Sequence, residues 1–174
     1  MGGHGKRRGS AALEFALTGV PLIFVWISVV QMAVGMWHYH TMQYAMKITG
    51  EYLSMHGSDY CSTNAANCKI SNIAQIFSTY AVGLPRSSVT LTFTPVNGYD
   101  HTTTGTATTC RLDNCLTNTT TWPVSGYDSP GQEFKILAEY QFNSGISMVA
   151  PGAGRPITFG ASWLPASTHQ MIVY

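Results

Sequence analysis

The sequence predicts an α+β chain: a long N-terminal transmembrane helix continues into an exported domain, where a second helix packs on a small antiparallel sheet of three or four strands. Three observations predict it. From Phe15 to Met36 there are 22 residues without a charge. Apolar side chains then recur at helical spacing, first through Met42, Ala45, Met46, Thr49, Tyr52 and Leu53, and again from Ile70 to Ala81. Farther on, apolar and polar residues alternate with the period of two that marks a half-buried strand.

Residues 1–9, MGGHGKRRG, are polar and Gly-rich and hold Lys6, Arg7 and Arg8, three of the nine basic residues. Nothing in them can pack, so they read as a cytoplasmic leader. The apolar stretch that follows is long enough, at ~1.5 Å per residue, to cross a ~30 Å hydrocarbon core. Positive charge on its N-terminal side holds that end in the cytoplasm. Trp37 and Tyr39 suit an aromatic belt at the outer interface. The helix is expected over 10–56, with the span about 15–37 and an amphipathic extension about 38–56. Pro21 is expected to bend it, because proline removes a backbone donor and crowds the preceding turn.

The exported part is expected over 57–174. Gly57-Ser58-Asp59 reads as a stop, followed by a loop from Cys61 to Cys68. The second helix presents Ile70, Ile73, Ala74, Phe77, Tyr80 and Ala81 on one face, with Gly83 and Pro85 as its terminator. Strands are expected at Ser88–Thr94, at Phe134–Phe142 and from Ile157 through Phe159 and Ala161 to Trp163, with an edge strand at Gln170–Tyr174. Between the first two lies a Thr-rich stretch, about 97–132, expected as a surface insertion. Its length leaves room for short strands inside it.

Cys61, Cys68, Cys110 and Cys115 form an even set in an exported chain, which predicts disulfides. Four cysteines allow three connectivities, and cheap closure of short loops favours Cys61–Cys68 with Cys110–Cys115. A zinc ribbon would need closer pairs. From Ser10 onward six basic residues face eight acidic ones, a balance of −2, so the domain lacks the basic stripe of a nucleic-acid binder.

No catalytic or metal constellation emerges, and no cofactor is expected. His38 and His40 point to different faces of a helix, and His56, His101 and His169 read as isolated. Pro151-Gly-Ala-Gly-Arg-Pro156 lacks the third glycine and the following helix of a phosphate loop and reads as a turn. Tyr127 stands where a nucleophile elbow needs glycine. Met32, Met36, Met42 and Met46 read as packing.

The segment Arg8-Gly9-Ser10-Ala11-Ala12-Leu13-Glu14-Phe15 carries the most information. An acidic residue at the head of a membrane span costs free energy and marks a functional position. Following a basic leader and a glycine, with Ser10 counted as first residue and Glu14 as fifth, the arrangement resembles a prepilin. RRGSAALEFALTGVP is more closely similar to the opening of the TadE-like family, minor pilins or pseudopilins of tight-adherence (Flp-type) pili, with Pro21 at the family's proline. The amphipathic extension, the Gly83-Leu84-Pro85 end, VTLTFTP and the Tyr140-Gln-Phe142 strand follow its outline. The sequence departs from it at VVQMAVGM, where Gln31 replaces an acidic position, and at AMKITGEYL.

The resemblance implies a structural subunit and not an enzyme. It implies cleavage after Gly9 by a prepilin peptidase, with Ser10 and Phe15 flanking the processed start and Ser10 and Glu14 acting in assembly. The implied partners are the bacterial inner membrane, other pilin or pseudopilin subunits and the pilus assembly platform, with the domain periplasmic, or extracellular once assembled. The physics of the spacing agrees: cleavage frees an amine on Ser10, one helical turn from Glu14. At an effective dielectric near 20, opposite charges ~4 Å apart attract by about 4 kcal/mol, enough to set the register of packed helices. Two other readings stand beside it: an unprocessed membrane-anchored periplasmic binding module, and a secreted protein cut near Ala33-Val34-Gly35 by signal peptidase. The apolar run exceeds the usual ~7–15-residue signal core.

Overall fold

A computed structural model describes residues 8–64, 67–102, 105–142, 148–149, 156–157 and 162–173. The chain divides into two compact units, Met1–Trp37 and His38–Tyr174. Helix α1, Arg8–Ser54, belongs to both, and Pro21 lies inside it. Most of the leader, residues 1–7, lies outside the described residues.

In the second unit α1 presents the stripe that its periodicity predicts. Met42, Ala45, Met46, Thr49 and Leu53 are buried, and Tyr52 is half-buried. Thr49 can occupy the core because its Oγ1 donates to the carbonyl of Ala45 at 2.7 Å, which leaves the hydroxyl satisfied. Beyond the Gly57 stop the chain re-forms one short helix, α2 (Ser58–Thr63), where a plain loop was expected. Its Cys61 is bonded to Cys68. Helix α3 (Ile70–Tyr80) buries Ile70, Ile73, Ala74 and Phe77. Gly83 takes φ 85°, the left-handed conformation that ends a helix cheaply.

The sheet is antiparallel and four-stranded, in the order β2 (Thr108–Arg111), β1 (Val89–Val96), β3 (Glu133–Phe142), β6 (Ser162–Met171). Strand β1 (Val89–Val96) buries Val89, Leu91 and Phe93 on one face, as its alternation predicts. It pairs along its length with β3 (Glu133–Phe142). On its other side lies β2 (Thr108–Arg111), which comes from the Thr-rich stretch. Strand β6 (Ser162–Met171) closes the far side of β3. A separate two-stranded pair joins β4 (Met148–Val149) to β5 (Pro156–Ile157).

Two further expectations need correction. The Thr-rich stretch is no mere surface insertion: besides β2 it supplies α4 (Leu112–Cys115) and buries Leu112, Cys115 and Trp122. Trp122 packs between Phe93 and Phe134, with ring centroids 5.4 and 5.8 Å away. The stretch folds because a large aromatic side chain gains roughly 1.5–3 kcal/mol on leaving water, and the disulfide Cys110–Cys115 ties β2 to α4.

The last strands are also differently placed. Ile157 belongs to the β4–β5 pair, and Trp163 and Gln170 both lie in β6, which runs through Pro165. Phe159, Ala161 and the turn 151–155 lie outside the described residues, as does Tyr174. Proline is tolerated in β6 because it is an edge strand, whose outward N–H positions need no partner. Its inward side chains include Ala166 and Thr168, so no clean apolar alternation announces it.

Candidate functional site

Two places in the chain combine polar chemistry with a defined setting. The first is the start of α1. Gly9 and Ser10 fall in its first turn, where backbone N–H groups lack intrahelical acceptors. Glu14 follows Ser10 by four residues, and no other charge occurs between it and Lys47. Around it the helix is apolar on every side: Leu13, Phe15, Leu17, Leu22, Trp26 and Met32 are each about 70% exposed. Such a helix needs lipid or other helices around it. The hydroxyls of Thr18 and Ser28 are already satisfied, since Thr18 Oγ1 donates to the Glu14 carbonyl and Ser28 Oγ to the Phe24 carbonyl, both at 2.8 Å. Internal satisfaction of polar groups is what a hydrocarbon environment demands. α1 is the one described helix long and apolar enough to cross a membrane. Among the described residues no side chain pairs with the Glu14 carboxylate.

The second place lies in the domain and was missed in the sequence. His101 and His169, read as isolated, converge on one carboxylate. Glu133 Oε2 accepts from His101 Nδ1 at 3.0 Å and from His169 Nε2 at 2.9 Å. The carboxylate is nearly buried while both imidazoles stay at least half-exposed. The hydrogen bond from His101 holds the Glu133 carboxyl below its ordinary value against the opposing effect of burial, and the two nearby imidazoles add to the lowering. No short-range motif could have announced this cluster. It forms because β6 pairs beside β3 and because the turn after β1 folds back on Glu133.

That turn is closely held. Asn97 N donates to Thr102 O at 3.0 Å, His101 N to Asn97 O at 2.8 Å, and Asp100 Oδ1 accepts from the Thr102 amide and hydroxyl. Gly98 sits against Gly131, so close that a Cβ there would meet the Gly131 carbonyl oxygen at 1.8 Å. At the tip, Tyr99 is 98% exposed.

The remaining sequence-predicted residues fall as follows. Arg8 opens α1, whereas Lys6 and Arg7 lie outside the described residues. The four cysteines form the two local disulfides, away from Glu14 in sequence and in a different unit. His38 meets Tyr140 edge-on with centroids 5.4 Å apart, and His40 meets Tyr39, so the two imidazoles have different neighbours.

Residues 9–47 match the family model described as TadE-like protein. The matched residues cover the Gly9–Phe15 segment, the apolar half of α1 and the first part of its amphipathic extension. No curated protein and no solved structure matches the chain.

Proposed function

We propose that this chain is a structural subunit of a tight-adherence pilus, a minor pilin or pseudopilin, and not an enzyme. The match to the TadE-like family over residues 9–47 supports a pilus-related protein, and a helix able to cross a membrane fits membrane association. In this reading the chain inserts with Lys6, Arg7 and Arg8 on the cytoplasmic side and is cut after Gly9 by a prepilin peptidase. The domain then lies in the periplasm until the subunit joins a filament at the assembly platform.

One observation carries the reading: a single carboxylate, Glu14, placed one turn after the new terminus in a helix exposed and apolar all round. Within a lone subunit, the carboxylate and the Ser10 amine sit at the water–lipid boundary and stay solvated. When helices pack side by side that water is lost, and each charge needs a partner. The carboxylate of one subunit then meets the amine of its neighbour and fixes their axial register. Substituting Glu14→Ala tests this. The expected result is normal recovery in the membrane fraction and loss of pili by electron microscopy. Unchanged piliation would remove Glu14 from assembly.

The membrane-anchored binding module remains a second reading because of Tyr99. A fully exposed tyrosine on a turn held by several hydrogen bonds is a suitable contact residue for a protein partner. An intact Met1 or Gly2 on protein recovered from membranes would favour this reading.

A further inference from the structure

We infer that the end of the domain joined to the apolar helix is a phospholipid-binding surface, built from Tyr44, Tyr80, Val82 and Arg86, that seats the domain on the bilayer. The inference rests on the reading that the apolar half of α1 spans a membrane.

His38 opens the domain and is joined directly to Trp37, so the side chains around His38 mark the near end. Tyr140 is one of them. In the sheet Tyr140 lies opposite Val89, the first residue of β1, and opposite Leu164 near the start of β6. The other end is equally defined, because Val173 N donates to the carbonyl of Ser54, the last residue of α1. Helix α3 runs back along α1: Tyr52 Oη donates to the carbonyl of Asn67 just before α3 begins, and Tyr44 meets Tyr80 at its last residue. The chain from Tyr80 to Val89 therefore passes from the level of Tyr44 to that of His38. The distance is about 9 Å along the helix axis, given ~1.5 Å per residue.

Exposed apolar side chains and one basic side chain lie in and beside that connection. Tyr44, Tyr80 and Val82 are 54, 41 and 61% exposed, and Arg86 is exposed beside them in sequence. No acidic residue occurs in 38–50 or in 80–99. Of the acidic groups in elements packed nearby, Asp113 is paired with Arg111 at 2.7 Å, and Glu139 lies on the sheet face opposite Tyr140. The far end differs: Asp100 and Glu133 lie there, where β1 ends and β3 begins.

Tyrosine favours the headgroup layer because its ring is apolar and its hydroxyl is wet. Val82 gains by leaving water, and an arginine can fork onto a phosphodiester with two hydrogen bonds. The stretches 38–50 and 80–99 bring no acidic residue to repel anionic headgroups. A surface of this composition, tethered within a few residues of a membrane span, meets lipid at high effective concentration without any further partner.

The test uses the full chain in liposomes of mixed zwitterionic and anionic phospholipid, at low protein-to-lipid ratio. An environment-sensitive fluorophore is attached at Val82→Cys, with Val173→Cys as the far-end control and Val29→Cys as the control within the apolar helix; the native cysteines are paired and do not take the label. Spin-labelled lipids carrying the quencher near the headgroup should quench the label at position 82 several-fold more than at 173. If 82 is as little quenched as 173 while 29 is quenched by acyl-chain spin labels, the lipid seat is wrong and the membrane span stands. If 29 is also unquenched, the span fails and the inference with it. A shielded label at 82 that lipid quenchers do not reach, or that appears only as protein concentration rises, assigns the surface to a second copy and overturns the inference.

Discussion

A carboxylate one turn inside an apolar helix can lower its energy in two ways, by reaching water or by meeting a cation. Glu14 has no basic residue within the apolar run to meet, so the nearest cation is one that processing would create on Ser10. In the proposed processing Gly9 precedes the cut and carries no side chain to crowd it. We expect Gly9→Val to leave the chain in the membrane with its leader attached, seen as a larger mass on membrane-extracted protein. In the second unit Glu133 makes a separate prediction. Its carboxyl lies below its ordinary value of 4.5 in the folded state, first because His101 donates to it. A depressed carboxyl contributes stability that is full above the unfolded value and disappears as pH falls through the folded one. The wild type should therefore lose stability relative to Glu133→Gln as pH drops below about 4.5. Denaturant midpoints at neutral and acidic pH measure this, and parallel curves would show that the His101–Glu133–His169 contact does not hold the turn.

Legibility at the level of elements depended on how much of each element's pattern was its own. Helix α1 announced itself by an uncharged run and a stripe, and α3 by a stripe closed by Gly83 and Pro85, because a helix face is written in local spacing. Strands β1 and β3 were visible for the same reason: Leu91 and Phe93 alternate with threonines, and Phe134, Ile136, Ala138 and Tyr140 recur at every second position and face the core. Strand β6 was not, since Ala166 and Thr168 face inward and Pro165 interrupts it, so tertiary pairing with β3 decides it. The Thr-rich stretch hid its core contribution in one residue. Replacing Trp122 by Ala should cost about 3–5 kcal/mol, as removal of a fully buried aromatic does. Denaturant unfolding of the full chain in detergent checks it; a change below about 0.5 kcal/mol, typical of surface positions, would return the stretch to a surface role. The His101–Glu133–His169 cluster was illegible because its members meet only once the sheet is assembled.

On the scale of the whole molecule, the two units divide the work of the proposed function. The first is a helix with no face of its own to hide, which requires surroundings of lipid or of similar helices. The second buries its own core and holds two disulfides that suit an oxidising compartment. Helix α1 contributes residues to both units. In the proposed function the leader, with Lys6, Arg7 and Arg8, is removed before the helices pack. Edman sequencing of the native protein taken from membranes reports directly on this. The account predicts a first residue of Ser10, and a chain that still begins at Met1 or Gly2, with Lys6, Arg7 and Arg8 in place, would contradict it.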